Sequence, residues 1–177
     1  VKSPYRLLKC NDFYGEIGRV NGYYNGWLIP KFFYKNKNVK EESICVDHEL
    51  SMINTVGITD QSDLAKITIV GKDTIKFLKN IINLGEINFI KNNFFSFGLV
   101  KDNNLFFDRL LVLVVSSEYV LILIDSQIEN EFYAWISSKL LNSQNEIKCG
   151  VYLESDIYQV FSLVGSFAHK LLIDKFK

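Results

Sequence analysis

The chain has 177 residues, 48% of them hydrophobic and 23% charged, with 20 Lys plus Arg balanced by 20 Asp plus Glu. That length is enough to bury a real core and is read as a single domain over 1–177. A formal net charge of zero argues against a nucleic-acid binder held by bulk charge and against a polybasic membrane-surface protein, and only 10 Gly and 2 Pro argue against a disordered or collagen-like chain.

In chain order, residues 1–40 read as an irregular, aromatic-rich segment. Phe13, Tyr14, Tyr23, Tyr24, Trp27, Phe32, Phe33 and Tyr34 are interrupted by Gly15, Gly18, Gly22, Gly26 and Pro30, so the segment is expected to drape over a folded body. Lys31, Lys35, Lys37 and Lys40 interleave with these rings, an arrangement able to stack on RNA. A solvated face beside packed aromatics is the preferred reading, because the rest of the chain carries no basic field. Residues 40–54 show a loose helical stripe of Ile44, Val46, Leu50 and Ile53.

A β-branched run at 66–70 predicts a strand ended by Gly71. Asp73 is then an N-cap for a helix through Ile82, with Ile75, Phe77, Leu78 and Ile81 inward. Three strands follow as a meander: 94–100, 105–115 after a Lys101-Asp102-Asn103-Asn104 loop, and 119–124 after Ser116-Ser117-Glu118. The stretch 105–124 is apolar enough to suggest a membrane span, but its Ser-Ser-Glu break makes it two strands. Asp125 or Ser126 caps a helix over 127–141 with Phe132, Trp135, Ile136 and Leu140 on one face. A strand over 157–164 and a helix from Ser166, with Ala168, Leu171 and Leu172, complete the pattern. The order β-α-β-β-β-α-β-α predicts an α+β fold, an antiparallel sheet meander with packed helices.

Most chemical motifs are missing. Cys10, Cys45 and Cys149 form no CxxC pair, and His48 and His169 stand in no ligand pattern, so no metal site is expected. Residues 1–11 lack an apolar leader, and a reducing cytoplasm is the default compartment. Asp108 is the informative residue. It lies inside the strand Leu105-Phe106-Phe107-Asp108-Arg109-Leu110-Leu111-Val112, an expensive place for a carboxylate. Alternation puts it on one face with Phe106, Leu110 and Val112, and Arg109 on the other. Such a carboxylate either caps a backbone group or faces a ligand.

Five motifs, in order, resemble the folate-binding aminomethyltransferase family, which includes the glycine-cleavage T-protein and the C-terminal domains of sarcosine- and dimethylglycine-oxidising enzymes. They are Gly26-Trp27-Leu28-Ile29-Pro30, Val56-Gly57-Ile58-Thr59-Asp60-Gln61-Ser62, Ile67-Thr68-Ile69-Val70-Gly71-Lys72-Asp73 with Phe77-Leu78, Phe106-Phe107-Asp108-Arg109-Leu110, and Ser162-Leu163-Val164-Gly165-Ser166-Phe167-Ala168. The likeness covers nearly the whole chain but corresponds to the N-terminal half of a family member, with the C-terminal half of the fold absent.

The resemblance implies tetrahydrofolate-dependent aminomethyl transfer, with Asp108 as the catalytic aspartate at the reactive amine of tetrahydrofolate. It implies that Leu64, Leu110 and Val112 line the pterin pocket and that Asp125 stands where the family has an asparagine. It implies folate as ligand, with a lipoyl carrier protein or a flavoprotein oxidase or dehydrogenase subunit as partner, while the charge balance and the broken apolar run lead to an expectation of no nucleic acid and no membrane. Oligomeric state stays open. Its alternative is a catalytically silent T-protein-like subunit or scaffold for an amine-oxidising flavoprotein or for a missing C-terminal half. A folate-binding iron–sulfur-assembly or tRNA-modification factor is a more distant reading, echoed only by Lys148-Cys149-Gly150. The chain departs from the family pattern at Phe107, at Asn103-Asn104, at Ile53 and at Asp63-Leu64. Phe95 or Phe97 stands where a tyrosine is expected.

Overall fold

The computed structural model describes residues 5–34, 50–81, 94–101, 105–143 and 146–175, and of 94–101 and 105–109 the backbone path. Lys35, Lys37, Lys40, Ile44, Cys45, Val46, His48, Ile82 and the Asn103-Asn104 tip lie outside the described residues. In chain order the elements are β1 (Arg6–Leu7), α1 (Asn11–Glu16), β2 (Arg19–Tyr24), β3 (Trp27–Phe33), β4 (Gly57–Asp60), β5 (Ala65–Val70), α2 (Thr74–Ile81), β6 (Phe94–Lys101), β7 (Leu105–Ser116), β8 (Tyr119–Ile124), a 3-10 turn (Ser126–Ile128), α3 (Glu129–Leu141), β9 (Gly150–Leu153), β10 (Phe161–Val164) and α4 (Ala168–Lys175). They divide into two compact units, one of Val1–Asp63 with Gln159–Lys177 and one of Leu64–Tyr158.

In the first unit, the irregular segment expected over 1–40 is corrected over 5–34. Strands β1, β3 and β2 form a three-stranded sheet in that order, with β1 parallel to β3. The physical reason is Asn25-Gly26, where φ is +43° and +83° and Tyr24 pairs directly with Trp27. Two successive residues at positive φ make the mirror-image turn whose twist suits a hairpin, and Asn-Gly is its preferred sequence. Only some of the rings turn inward. Tyr14 and Trp27 are buried with Leu8, whereas Phe13 and Tyr23 are exposed. The Arg6 guanidinium lies 4.1 Å from the Trp27 ring centroid, a cation–π contact.

The same unit pairs β4 with β10 in an antiparallel two-stranded sheet, Gly57 opposite Val164 and Asp60 opposite Phe161. Two of the motifs that carry the family resemblance thus lie side by side. The strand expected over 157–164 starts only at Phe161, because Ile157 N–H donates to the Glu154 carbonyl in a turn. Gly165 follows β10 at φ +108°, and Ser166 and Phe167 donate their amides to the carbonyls of Ile53 and Thr55.

The second unit holds the expected meander of β6, β7 and β8, extended by the expected strand β5 and by β9, which was not foreseen. Its five-stranded antiparallel sheet runs β6-β7-β8-β5-β9. Strand β9 has only four residues, too short for alternation to reveal it. Ala65, Ile67 and Ile69 of β5, Leu110, Val112 and Val114 of β7 and Val120, Ile122 and Ile124 of β8 share one buried face, against Phe77, Leu78, Phe132 and Ile136 of α2 and α3. Each of these side chains larger than Ala65 contributes roughly 1.5–3 kcal/mol on burial.

The helix starts differ in detail from expectation. Asp73 accepts Phe77 N–H through its carbonyl, but its carboxylate accepts Lys148 N–H at 2.8 Å, tying the start of α2 to the approach to β9. Asp125 does cap, its Oδ1 accepting Gln127 N–H at 2.8 Å, and the 3-10 turn leads into α3. Among the described residues no helix is long and apolar enough to cross a membrane.

Candidate functional site

The sheet of the second unit gathers the expected site residues by backbone register. Ala65 pairs with Ile124, and Leu111 with Leu123, so the start of β5, the end of β8 and the central part of β7 fall at one end of the sheet. Leu64 immediately precedes Ala65 and Asp125 immediately follows Ile124; both are half-buried. Leu110 and Asp108 follow on β7, in register with Phe97 and Leu99 of β6. Val112 sits further in, opposite Ile122. Leu110 and Val112 are fully buried members of the core.

A bulge interrupts β7 beside Asp108. Leu99 pairs with Asp108 but Val100 pairs with Phe106, so Phe107 is passed over. Leu99 and Val100 are successive and of opposite parity, which moves Phe106 out of the series Asp108–Leu110–Val112. The grouping of Phe106 with Asp108 by simple alternation is therefore corrected: an extra residue breaks the period of two. Bulges bend a strand and re-aim its residues, and they concentrate next to active sites.

Two polar networks escaped the sequence reading, one in each unit. In the first unit, Asp60 accepts Ser62 N–H at 2.8 Å through Oδ1 and the Tyr14 hydroxyl through Oδ2. Ser62 Oγ accepts Val160 N–H at 2.9 Å, and Gln61 N–H donates to Val160 O at 2.8 Å. The Asp-x-Ser of the second motif is thus an Asx turn that joins α1, β4 and the approach to β10. Burial, and then the hydrogen bond to Asp60, hold the Tyr14 phenol protonated far above the usual tyrosine range. In the second unit, Lys66 is wholly buried and is linked to Ser155 and Glu129. Sequence alone carried no signal for it, since a lysine is almost never fully buried unless paired.

Two further groups, Cys149 and Tyr119, are shifted upward. Burial, with the Asp73 carboxylate adding to it, pushes the Cys149 thiol up to about 11, which makes it a poor nucleophile. Burial and a 2.5 Å hydrogen bond to Tyr158 raise the Tyr119 phenol. His169 is exposed on α4. Among the described residues no three His, Cys, Asp or Glu side chains come together to hold a metal ion.

A family model described as the GCVT N-terminal domain matches residues 11–177. The chain belongs to this family. Among its relatives, the aminomethyltransferase of Thermoanaerobacter pseudethanolicus is 30% identical over 134 residues, which is 73% of this chain and 33% of that protein. A probable aminomethyltransferase of Pyrococcus horikoshii is 27% identical over 176 residues, 93% of this chain and 40% of that protein. The crystal structure of the glycine cleavage system aminomethyltransferase T from Bartonella henselae has the same fold, with a TM-score of 0.78 at 15% identity over 96% of this chain and 43% of that one. This member of the GCVT N-terminal domain family therefore spans 33% and 40% of the length of those two curated relatives.

Proposed function

We propose that this chain binds tetrahydrofolate and takes part in aminomethyl transfer, with Asp108 at the reacting amine. One observation carries the reading: in a chain of this family, register gathers Asp108, Asp125 and Leu64 at one sheet end, with Asp108 beside a bulge. The half-buried Leu64 and the Asp125 carboxylate suit a flat heterocycle with N–H donors along one edge.

In this reading a methylene passes from an aminomethyl-lipoyl carrier protein to two tetrahydrofolate nitrogens; its C–N and C–S bonds break, and the two displaced N–H protons leave on ammonia and on the freed lipoyl thiol. The tetrahydrofolate nitrogen attacks the one-carbon unit, cationic iminium character develops, and the fixed charge of Asp108 stabilises it. A site away from water strengthens that charge–charge attraction. Leu64 supplies apolar contact, with Leu110 and Val112 part of the buried core of the same sheet, and the reaction runs in the cytoplasm.

Titration calorimetry with tetrahydrofolate tests this directly. The chain is expected to bind, and Asp108→Asn to weaken binding or abolish methylene transfer. No binding at millimolar ligand, together with recovery of a stable partner by pull-down, overturns the proposal in favour of a silent scaffold.

A further inference from the structure

Lys66, Ser155 and Glu129 are 0%, 4% and 8% exposed and lie outside the residues assigned to the site. Lys66 Nζ donates to the Ser155 carbonyl at 3.1 Å, and Lys66 N–H donates to Ser155 Oγ at 3.0 Å. Ser155 Oγ in turn donates to Glu129 Oε1, and Glu154 N–H donates to the Lys66 carbonyl at 2.8 Å. Three segments meet here: the start of β5, the loop after β9 and the first turn of α3.

As a stabilising device this is poorly chosen. Desolvating an ammonium and a carboxylate costs several kcal/mol per ion, and apolar side chains of similar volume often do better. Leu123, the buried β8 residue that pairs with Lys66, shows that this face of the sheet tolerates such residues. The placement is what stands out. Leu64 is two residues before Lys66, and Asp125 is four before Glu129, joined to it by the 3-10 turn. The network therefore clamps both residues that border the candidate site at the ends of β5 and β8.

We propose that Lys66, Ser155 and Glu129 are positioning residues that hold the Leu64–Asp125 end of the sheet in its binding geometry and so set its affinity for tetrahydrofolate; the ligand rests on the reading above. They touch no ligand themselves. Ser155 is the hub, since it both accepts from Lys66 and donates to Glu129.

The test uses the full chain with Ser155→Ala and Ser155→Thr, read by amide hydrogen exchange and by tetrahydrofolate calorimetry. Loss of a hydrogen bond to a charged group is expected to speed exchange at Gln127 and Ile128 by roughly tenfold or more, while Val120 and Ile122 keep wild-type rates. Folate affinity is expected to fall by a similar factor, and Ser155→Thr to restore both. Glu129→Gln replaces Ser155→Ala if the latter does not fold. Uniformly faster exchange, or an unchanged corner at 125–128, overturns positioning. A loosened corner with unchanged folate affinity overturns the link to affinity. A loosened corner in a protein whose wild type binds no folate retains the clamp and overturns the folate reading alone.

Discussion

Asp108 stands in a strand whose neighbours, apart from Arg109, are apolar, and the cost of a carboxylate there made it legible without any structure. On the folate reading, replacing it by Asn keeps the shape and removes the charge, so transfer is expected to slow by about 10²–10³-fold with the melting temperature little changed. Single-turnover kinetics beside a thermal melt check this. Asp125 was legible for a different reason, as a capping residue before a helical pattern. Lys66 was not, because a lysine in sequence reads as solvent-facing and only the meeting of three segments shows what buries it. Tyr14→Phe removes the donor to Asp60, and a loss of about 1–3 kcal/mol is expected in urea denaturation. Cys149 offers a pH test. Its thiol is raised from the usual 9.0 to about 11, so alkylation in a chain lacking Cys10 and Cys45 should rise with a midpoint near that value. The sign for stability follows: the fold favours the neutral thiol, so this contribution is intact below the unfolded-state value and is lost as pH climbs through the folded one.

At the scale of elements, the meander β6–β7–β8 was readable because period-two apolar runs are separated by residues that turn easily. The bulge at Phe107 was not, since counting alternate residues assumes that no strand carries an extra one. The β2–β3 hairpin was hidden for another reason. Its two-residue turn sits in a stretch so rich in glycine that the glycines looked like interruptions. Two of them give contrasting predictions. A Cβ at Gly26 meets nothing within 4 Å, so Gly26→Ala costs only the left-handed backbone, about 1–2 kcal/mol. At Gly165 a Cβ would lie 2.5 Å from Met52 O and 2.6 Å from Thr55 O. Gly165→Ala is therefore expected to cost about 3 kcal/mol or more, from overpacking added to strain. Chemical denaturation of the two variants should rank them in that order.

For the molecule as a whole, ordered short motifs sufficed to indicate the family, because each marks a place where backbone geometry narrows the choice of residue. The division into two units was not legible, since the first unit combines segments from both ends of the chain.

The turn at Asn25-Gly26 has a consequence for material kept in solution. With no side chain on Gly26 to obstruct it, that residue's amide nitrogen can attack the Asn25 side-chain carbonyl, expel ammonia and leave aspartate or isoaspartate after hydrolysis. Ring closure requires the backbone to leave the left-handed geometry that the hairpin imposes. Deamidation at this site, followed by peptide mass spectrometry over days of storage, therefore records how often the β2–β3 hairpin opens.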